Sequence, residues 1–544
     1  MGNDPRRRPR NLHAFKFKSW ILSNSLLEPN HLARCLTYNL TKGCLPEPPH
    51  PLTPLPQGGQ GRVDFPALAP LGERVAALRR RVRGSLRSLT VRTSAPARPA
   101  WKNQTLANGY YFVLALTLAL SLAVPARSQQ ISRVERGDAL EMLDQIAHDV
   151  QKHYYDPTFH GVDWRAKVIE TREKIRGASS FNMLLAYIAA SLDSLGDSHT
   201  FFFPPLRPTQ CDYGFRTEMV GTRCYIARVR PGSDAAAKGI KPGDEVQTLE
   251  GWVPSREILW NLDYRYTVLR PQTGLRLVLT NPQGLQRQVD VFAKLEKINR
   301  IAELSSFAGD INMDTLRRTE DEAKLSRPRT AEVGESLLII KIPEFLFDPL
   351  EMDKMIGKAR KHSALIIDLR DNPGGTGQSL KFLAGRIFDR DVKIADRSGR
   401  KAMNPLIAPS VGRRAFLGKL VVLVNSQSAS ASELFARTVQ LEKRGLVLGD
   451  RTSGRVMEAR DFAHSVGQEM VIPYGISLTE ADLIMSDGKS LEHSGVVPDE
   501  IVLPTAHDMA NAQDPALSRA AVLLGAKLSP ADAGKLFPFE WPKQ

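Results

Sequence analysis

Between Lys419 and Met457 the chain reads KLVVLVNSQSASASELFARTVQLEKRGLVLGDRTSGRVM, an order of residues that few local folds accommodate. The apolar run Leu420 to Val424 stops at Asn425, small residues turn the chain, and Leu434, Phe435, Thr438 and Val439 then recur at helical spacing from about Ser430. The stretch is therefore a strand, a tight turn and a helix, with a serine left at the helix N-terminus. Free N–H groups and the positive end of the helix dipole stabilise anionic charge there, which suits a serine that must become an alkoxide and then face an oxyanion. The same residues fit a plainer reading, since Ser430 and Glu433 also have the spacing of an N-terminal capping box.

The preceding residues extend the pattern. SLLIIKIPEF (336–345) is a buried strand, Pro349 to His362 a helix, and ALIIDLR (364–370) a second buried strand. Asp371-Asn372-Pro373-Gly374-Gly375-Thr376-Gly377 turns into a helix from Ser379 to Ile387. Strands alternating with helices give βαβ units, a parallel or mixed sheet, and a natural site at the strand C-termini. The glycine-rich turn and the serine turn then lie on neighbouring strand ends.

Composition matters mainly upstream. Of the net charge of +15, Met1 to Thr105 carries +13, with 18 Lys+Arg against 5 Asp+Glu. The basicity is local, and no nucleic-acid-binding globular face is implied. Residues 1–105 hold the Pro-rich stretch 46–61 and a cluster of Arg79, Arg80, Arg81, Arg83 and Arg87, and read as a disordered or non-native extension. Tyr110 to Val124 is an uninterrupted apolar run followed by small residues at Ala126 and Ser128. It has the length of a signal-peptide core, placing a signal peptide over 106–128 and cleavage near Ser128. That implies export to the periplasm or the extracellular space, with translation starting near Leu106. The alternative is an uncleaved membrane anchor at 110–124 with a basic cytoplasmic tail, a membrane-associated scaffold. Cys35 and Cys44 fall in this part; Cys211 and Cys224 are left in the body, either bridged or as two free thiols, and no spacing forms a zinc site.

Helical periodicity marks a domain of about three helices over 130–205, closing on Leu195-Gly196-Asp197-Ser198-His199-Thr200. Residues 211–297 shift to short β segments. There Arg230-Pro231-Gly232, a short Ala-rich helix from Ser233 to Lys238, and Gly239-Ile240-Lys241-Pro242-Gly243-Asp244 before a strand at Glu245 to Leu249 resemble a PDZ domain. By that resemblance Gly214, Phe215 and Arg216 form the loop that holds a peptide carboxylate. A charged, turn-rich linker spans 298–335, a core 336–510, and a helical tail 511–544.

The ordered set LIIKIPEF, ALIIDLRDNPGG, LVVLVNSQSASASELFA, GDRTSG and GVVPDE, preceded by the PDZ-like insert and the helical domain, resembles the C-terminal processing peptidases and the related tricorn core peptidases over Ser132 to Leu503. The resemblance implies an α/β fold, a ClpP/crotonase-like β-α-β core with an N-terminal helical domain and an inserted PDZ-like β domain. It implies Ser430 as nucleophile and the N–H groups of Ala431 and of the Gly374-Gly375 turn as the oxyanion hole.

One position departs from the family. Processing peptidases of the bacterial type use a serine and lysine dyad, with the lysine in Thr-x-Gly-Lys and a glutamine four residues on. Here the string is Thr452-Ser453-Gly454-Arg455, with Ala459 at the glutamine position, and an arginine cannot serve as general base. The tricorn core places a serine and histidine pair after a helical segment and a glutamate before Gly-Val-x-Pro-Asp. Asp197-Ser198-His199-Thr200 and Leu491-Glu492-His493-Ser494-Gly495-Val496-Val497-Pro498-Asp499 match both. His199 is then the base, with Ser198 and Glu492 fixing it or polarising the site. Lys489 is the runner-up base, His493 a solvated loop residue, and Arg455 a substrate holder or a surface salt bridge.

The function implied is an exported serine endopeptidase working through an acyl-enzyme on peptides or proteins, processing their C-termini, with no cofactor and no metal. The rival is a catalytically inactive peptide-binding protein of the same fold.

Overall fold

The computed structural model describes residues 131–541 apart from 206, 208, 298–324 and 468–470. The extension 1–105 and the signal segment 106–128 lie outside the described residues. Among the described residues no helix is long and apolar enough to cross a membrane.

The described residues open with three helices, α1 (Arg133–His153), α2 (Trp164–Gly177) and α3 (Phe181–Asp193). Each starts on an oxygen-bearing cap: Ser132, Asp163 and Ser180 accept an N–H from the first turn. Their apolar faces bury Met142, Leu143, Ile146, Leu184, Leu185 and Ile188. The polar string after α3 leads into a short strand, β1 (Phe201–Phe203), which the sequence pattern does not reveal. A run of three phenylalanines masks it, because Phe201-Phe202-Phe203 has no alternation to read.

Next come β2 (Thr209–Asp212), β3 (Phe215–Val220), β4 (Arg223–Val229), β5 (Glu245–Leu249), helix α4 (Leu259–Tyr264), β6 (Gly274–Thr280), β7 (Gln286–Phe292) and β8 (Lys294–Lys297). Strands β3 to β7 form an antiparallel sheet in sequential order, and β2 pairs β8 beside it. Cys211 and Cys224 in this module are free thiols. Burial pushes them up to about 11 and about 12.

The remainder holds β9 (Arg329–Val333), β10 (Leu337–Lys341), α5 (Pro349–Ala359), β11 (Ala364–Asp368), α6 (Gly377–Ala384), β12 (Val392–Gly399), β13 (Leu406–Ala408), β14 (Lys419–Val424), α7 (Ala431–Leu441), β15 (Leu446–Gly449), β16 (Met457–Val466), β17 (Ile472–Ile484), β18 (Glu500–Ile501) and α8 (Pro515–Leu523). A six-stranded sheet runs β18-β15-β14-β11-β10-β9, parallel except for β9, which lies in the stretch read as linker and forms an antiparallel edge. All five residues of β11 are buried, as expected of a central parallel strand. Each fully buried Leu or Ile there is worth about 1.5–3 kcal/mol. Helices α5, α6 and α7 cover one face of the sheet through a cluster containing Leu338, Ile340, Ile367, Leu380 and Phe435. Helix α8, from the tail, covers the other through Leu517, Ala520 and Ala521.

Two features place the site. In the β11–β14 register Asp368 faces Leu423, so both strands end at the same level and their following turns are neighbours. Arg370 fixes that level: it forks onto Asp368 at 2.8 and 2.9 Å and onto Asp514, the cap of α8, at 2.7 and 2.8 Å. The Arg370 and Lys341 charges hold the buried Asp368 carboxyl well below its usual range despite its burial. The second feature is β1, which pairs antiparallel with β17. It ties the end of the helical segment, and therefore residues 197–200, to the second sheet, β1-β17-β12-β13 with β16 on β17.

Candidate active site

The turns after β11 and β14 interlock. Asn425 Oδ1 accepts the Asp371 N–H at 2.9 Å, Ser428 Oγ donates to the Leu369 carbonyl at 2.8 Å, and the Ala429 N–H reaches the Asn372 carbonyl at 3.0 Å. Ser430, the cap of α7, sits at φ +53°, ψ −115°. A non-glycine residue there stores on the order of 1–3 kcal/mol of strain and persists only where its surroundings over-determine it.

Glu433 is that constraint. Fully buried, its carboxylate accepts the N–H of Ser430 at 3.0 Å, of Gly454 at 2.8 Å and of Arg455 at 3.0 Å, and the Thr452 hydroxyl at 2.5 Å. The Ser430 N–H is shared with the Arg455 carbonyl at 2.9 Å. Burial pushes the Glu433 carboxyl up to about 7 against the pull of these donors. What the sequence offers as a helix cap is also a clamp between the serine turn and the strand that carries Arg455.

Gly374 and Gly375 adopt φ +106° and +139°, and only glycine fits either place. A Cβ at Gly374 would stand 2.6 Å from Ser430 Cβ and 3.1 Å from the Ala431 nitrogen; one at Gly375 would stand 2.4 Å from the Phe345 carbonyl oxygen. The close approach to Ser430 expected of this turn is present, but the two amides are not equivalent. Gly374 N–H already donates to Asn372 Oδ1 at 2.8 Å, which removes it from the expected oxyanion set. Among the described residues no protein acceptor is recorded for the N–H of Gly375 or of Ala431, the latter being the first residue of α7 and so lacking an intrahelical acceptor.

His199 arrives from the other side. Its Nδ1 lies 2.8 Å from Ser198 Oγ, whose hydroxyl donates to Glu492 Oε2 at 3.0 Å, and Ser198 N–H donates to Glu492 Oε1 at 2.7 Å. Glu492 also accepts the Val456 N–H at 2.8 Å. This order of donors runs from Nδ1–H to the hydroxyl to the carboxylate, and it leaves Nε2 as a lone-pair acceptor. Burial first, then the nearby Arg455 charge, pulls the imidazole down to about 4, opposed by Asp197. His199, Ser198, Ser430, Ala431, Gly374 and Gly375 line one cavity of about 780 Å³. No hydrogen bond between Ser430 and His199 is recorded among the described residues; such pairs tighten when substrate closes the site.

Three expectations change. Lys489 is exposed on the turn after β17, its N–H on Asp487 Oδ1 at 3.3 Å, and it does not line the cavity. Arg455 is not in a surface salt bridge: its Nη2 donates to the Ser198 carbonyl at 2.9 Å and its guanidinium lies 4.1 Å from the Trp260 ring centroid, while burial lowers it to about 10. Of the loop read as a carboxylate holder, Phe215 and Arg216 line the cavity, but Gly214 does not, and its N–H is taken by Asp212 Oδ1 at 2.9 Å. His493 is solvated as read, its side chain 71% exposed.

Asp197 has a part that its string alone does not disclose. Its Oδ1 accepts the N–H groups of His199 and Thr200 at 3.0 and 2.8 Å and the Thr479 hydroxyl at 2.5 Å, and Oδ2 accepts Tyr154 OH at 2.8 Å. An aspartate two residues ahead of a histidine is a signal for this side-chain turn, but Tyr154 and Thr479 are too far along the chain to be read with it.

The core that carries this site has similar counterparts among known proteins. The model of peptidase family S41 matches residues 336–502. Over those residues the chain is similar to that family. Among its relatives, the tail-specific protease of Haemophilus influenzae is 31% identical over 197 residues, 34% of this chain and 27% of that protein. The chloroplastic carboxyl-terminal-processing peptidase 3 of Arabidopsis thaliana is 24% identical over 364 residues, 63% of this chain and 65% of that one. The matched stretch thus spans under two thirds of the length of these two relatives. The structure of mature CPAF superposes with a TM-score of 0.51 at 17% identity, covering 69% of this chain and 94% of that one, a likeness of fold.

Proposed function

We propose that the protein is an exported serine endopeptidase that hydrolyses polypeptides by acyl transfer and processes protein C-termini. The observation that carries the proposal is the run from Glu492 through Ser198 to His199, which leaves His199 Nε2 basic in the cavity that holds Ser430. Ser430 Oγ attacks the scissile carbonyl. His199 takes the hydroxyl proton on Nε2 and returns it to the leaving amine, and water then releases the acyl group by the same route in reverse. The N–H groups of Ala431 and Gly375 receive the oxyanion. Arg455 is a positioning residue: it braces the Ser198 carbonyl and cannot itself take a proton at neutral pH. The five-stranded module acts as a PDZ-like domain that leads the substrate in along Phe215 and Arg216, and the core is of the ClpP/crotonase-like type. Export rests on the signal-like run at 110–124.

The test is to incubate the full chain with an unfolded protein between pH 3 and 9 and to identify products by mass spectrometry. A base must be neutral to act, so a histidine held below its ordinary 6.5 keeps activity until the pH falls toward about 4. Peptides cut at internal and C-terminal bonds, with an acid limb well below pH 6.5, are expected. No products at any pH would favour the inactive peptide-binding alternative.

A further inference from the structure

Beyond the candidate active site, the chain brings a second set of side chains to the same cavity. Arg216 on β3 and Arg228 on β4 are direct cross-strand partners, and Arg230 follows two residues after Arg228. Like charges placed opposite each other destabilise an antiparallel pair. Asp212 answers part of this charge, its carboxylate 2.9 Å from Arg230 Nε. A segment of the chain itself lies on the same arginine face. Phe537, Phe539 and Trp541 recur at every second residue, the spacing that puts side chains of an extended strand on one face. Trp541 lies under Arg230 at 4.5 Å and under Arg216 at 5.7 Å, and Phe539 lies under Arg228 at 5.6 Å. Farther back Arg329 stands 5.8 Å over Phe537 and donates to the Pro538 carbonyl at 3.4 Å. Phe537 also packs against the apolar cluster under α8, so the segment is anchored at one end while its other end enters the cavity. Phe539 and Trp541 both line the cavity that holds Ser430.

We propose that the arginine face Arg216–Arg228–Arg230 is a docking site for an extended polypeptide segment with alternate aromatic residues, and that Phe539–Trp541 occupies it as an internal competitor of substrate. Guanidinium groups over aromatic faces give the recognition, and extended backbone gives the register. The docking site stands on these contacts alone; the competition rests on the peptidase reading above.

Binding is measured first, without catalysis, on Ser430→Ala chains. A fluorescein-labelled synthetic peptide of residues 535–541 is titrated into the full-length chain and into a chain ending at Pro538, which keeps Phe537 in its cluster. The shortened chain is expected to bind the peptide at least tenfold more tightly than the full chain, and Arg230→Ala in the shortened chain to weaken it at least tenfold. Equal affinity for both chains, or no binding to the shortened one, would overturn the site. In the active background the shortened chain is expected to show a several-fold lower KM with kcat little changed, and added peptide to raise the KM again. An unchanged KM would overturn the competition. Should the shortened chain unfold, Trp541→Ala in the full chain makes the same comparison, and a chain without peptidase activity still answers the binding question.

Discussion

Replacing Ser430 with alanine is expected to lower kcat/KM on a protein substrate by about 10⁴-fold or more, the scale seen when a nucleophile acting as part of a unit is removed. The backbone contacts that hold the turn do not involve the hydroxyl: the Ser430 N–H still reaches Glu433 and the Arg455 carbonyl. The variant therefore keeps its fold and its substrate binding, and the loss falls on kcat. His199→Ala is expected to cost a comparable factor, and the double variant little more than either alone, because each step needs both atoms. Lys489→Ala is expected to leave rates unchanged, since its ammonium is exposed outside the cavity. Initial rates for the four chains check all of this.

The largest expected effect on stability comes from Glu433→Ala. It removes the acceptor of two buried amides, Gly454 and Arg455, and of the Thr452 hydroxyl, and leaves a void under the N-terminus of α7. At about 1–3 kcal/mol for each of these three orphaned donors, the loss should come to about 3–9 kcal/mol. Glu433→Gln fills the void but offers one acceptor where the site has several donors, so its loss should be smaller. Thermal unfolding of the three chains should rank wild type above Gln above Ala. Activity should fall with the alanine variant too, because the strained backbone of Ser430 loses a constraint that holds it at φ +53°.

The parts of the fold that read clearly are those whose signal is local and periodic. The run Leu420 to Val424, the helix after Ser430, and the strands around Leu338 and Ile366 carry it in consecutive residues, and the structure places them as β14, α7, β10 and β11. What stayed hidden depends on contacts between distant residues. Strand β1 exists because β17 offers it an edge. The unequal roles of Gly374 and Gly375 follow from the rotamer of Asn372, which no spacing encodes. Lys489 and Arg455 exchange prominence for the same reason: the sequence presents two cations near the expected site, and only packing shows that one is exposed while the other is wedged between Trp260 and Ser198. The aromatic residues after α8 read as the end of a helical tail, whereas their meaning lies in three arginines some 300 residues earlier.

The central claim, that Ser430 is a nucleophile served by His199 and not by a lysine, is tested most directly by covalent labelling with a serine-directed phosphonate, followed by mapping of the modified peptide. The account predicts one label on the peptide containing Ser430, lost in Ser430→Ala, strongly slowed in His199→Ala and retained in Lys489→Ala. A chain that takes no label under any condition, or one whose labelling survives His199→Ala and disappears in Lys489→Ala, would contradict it.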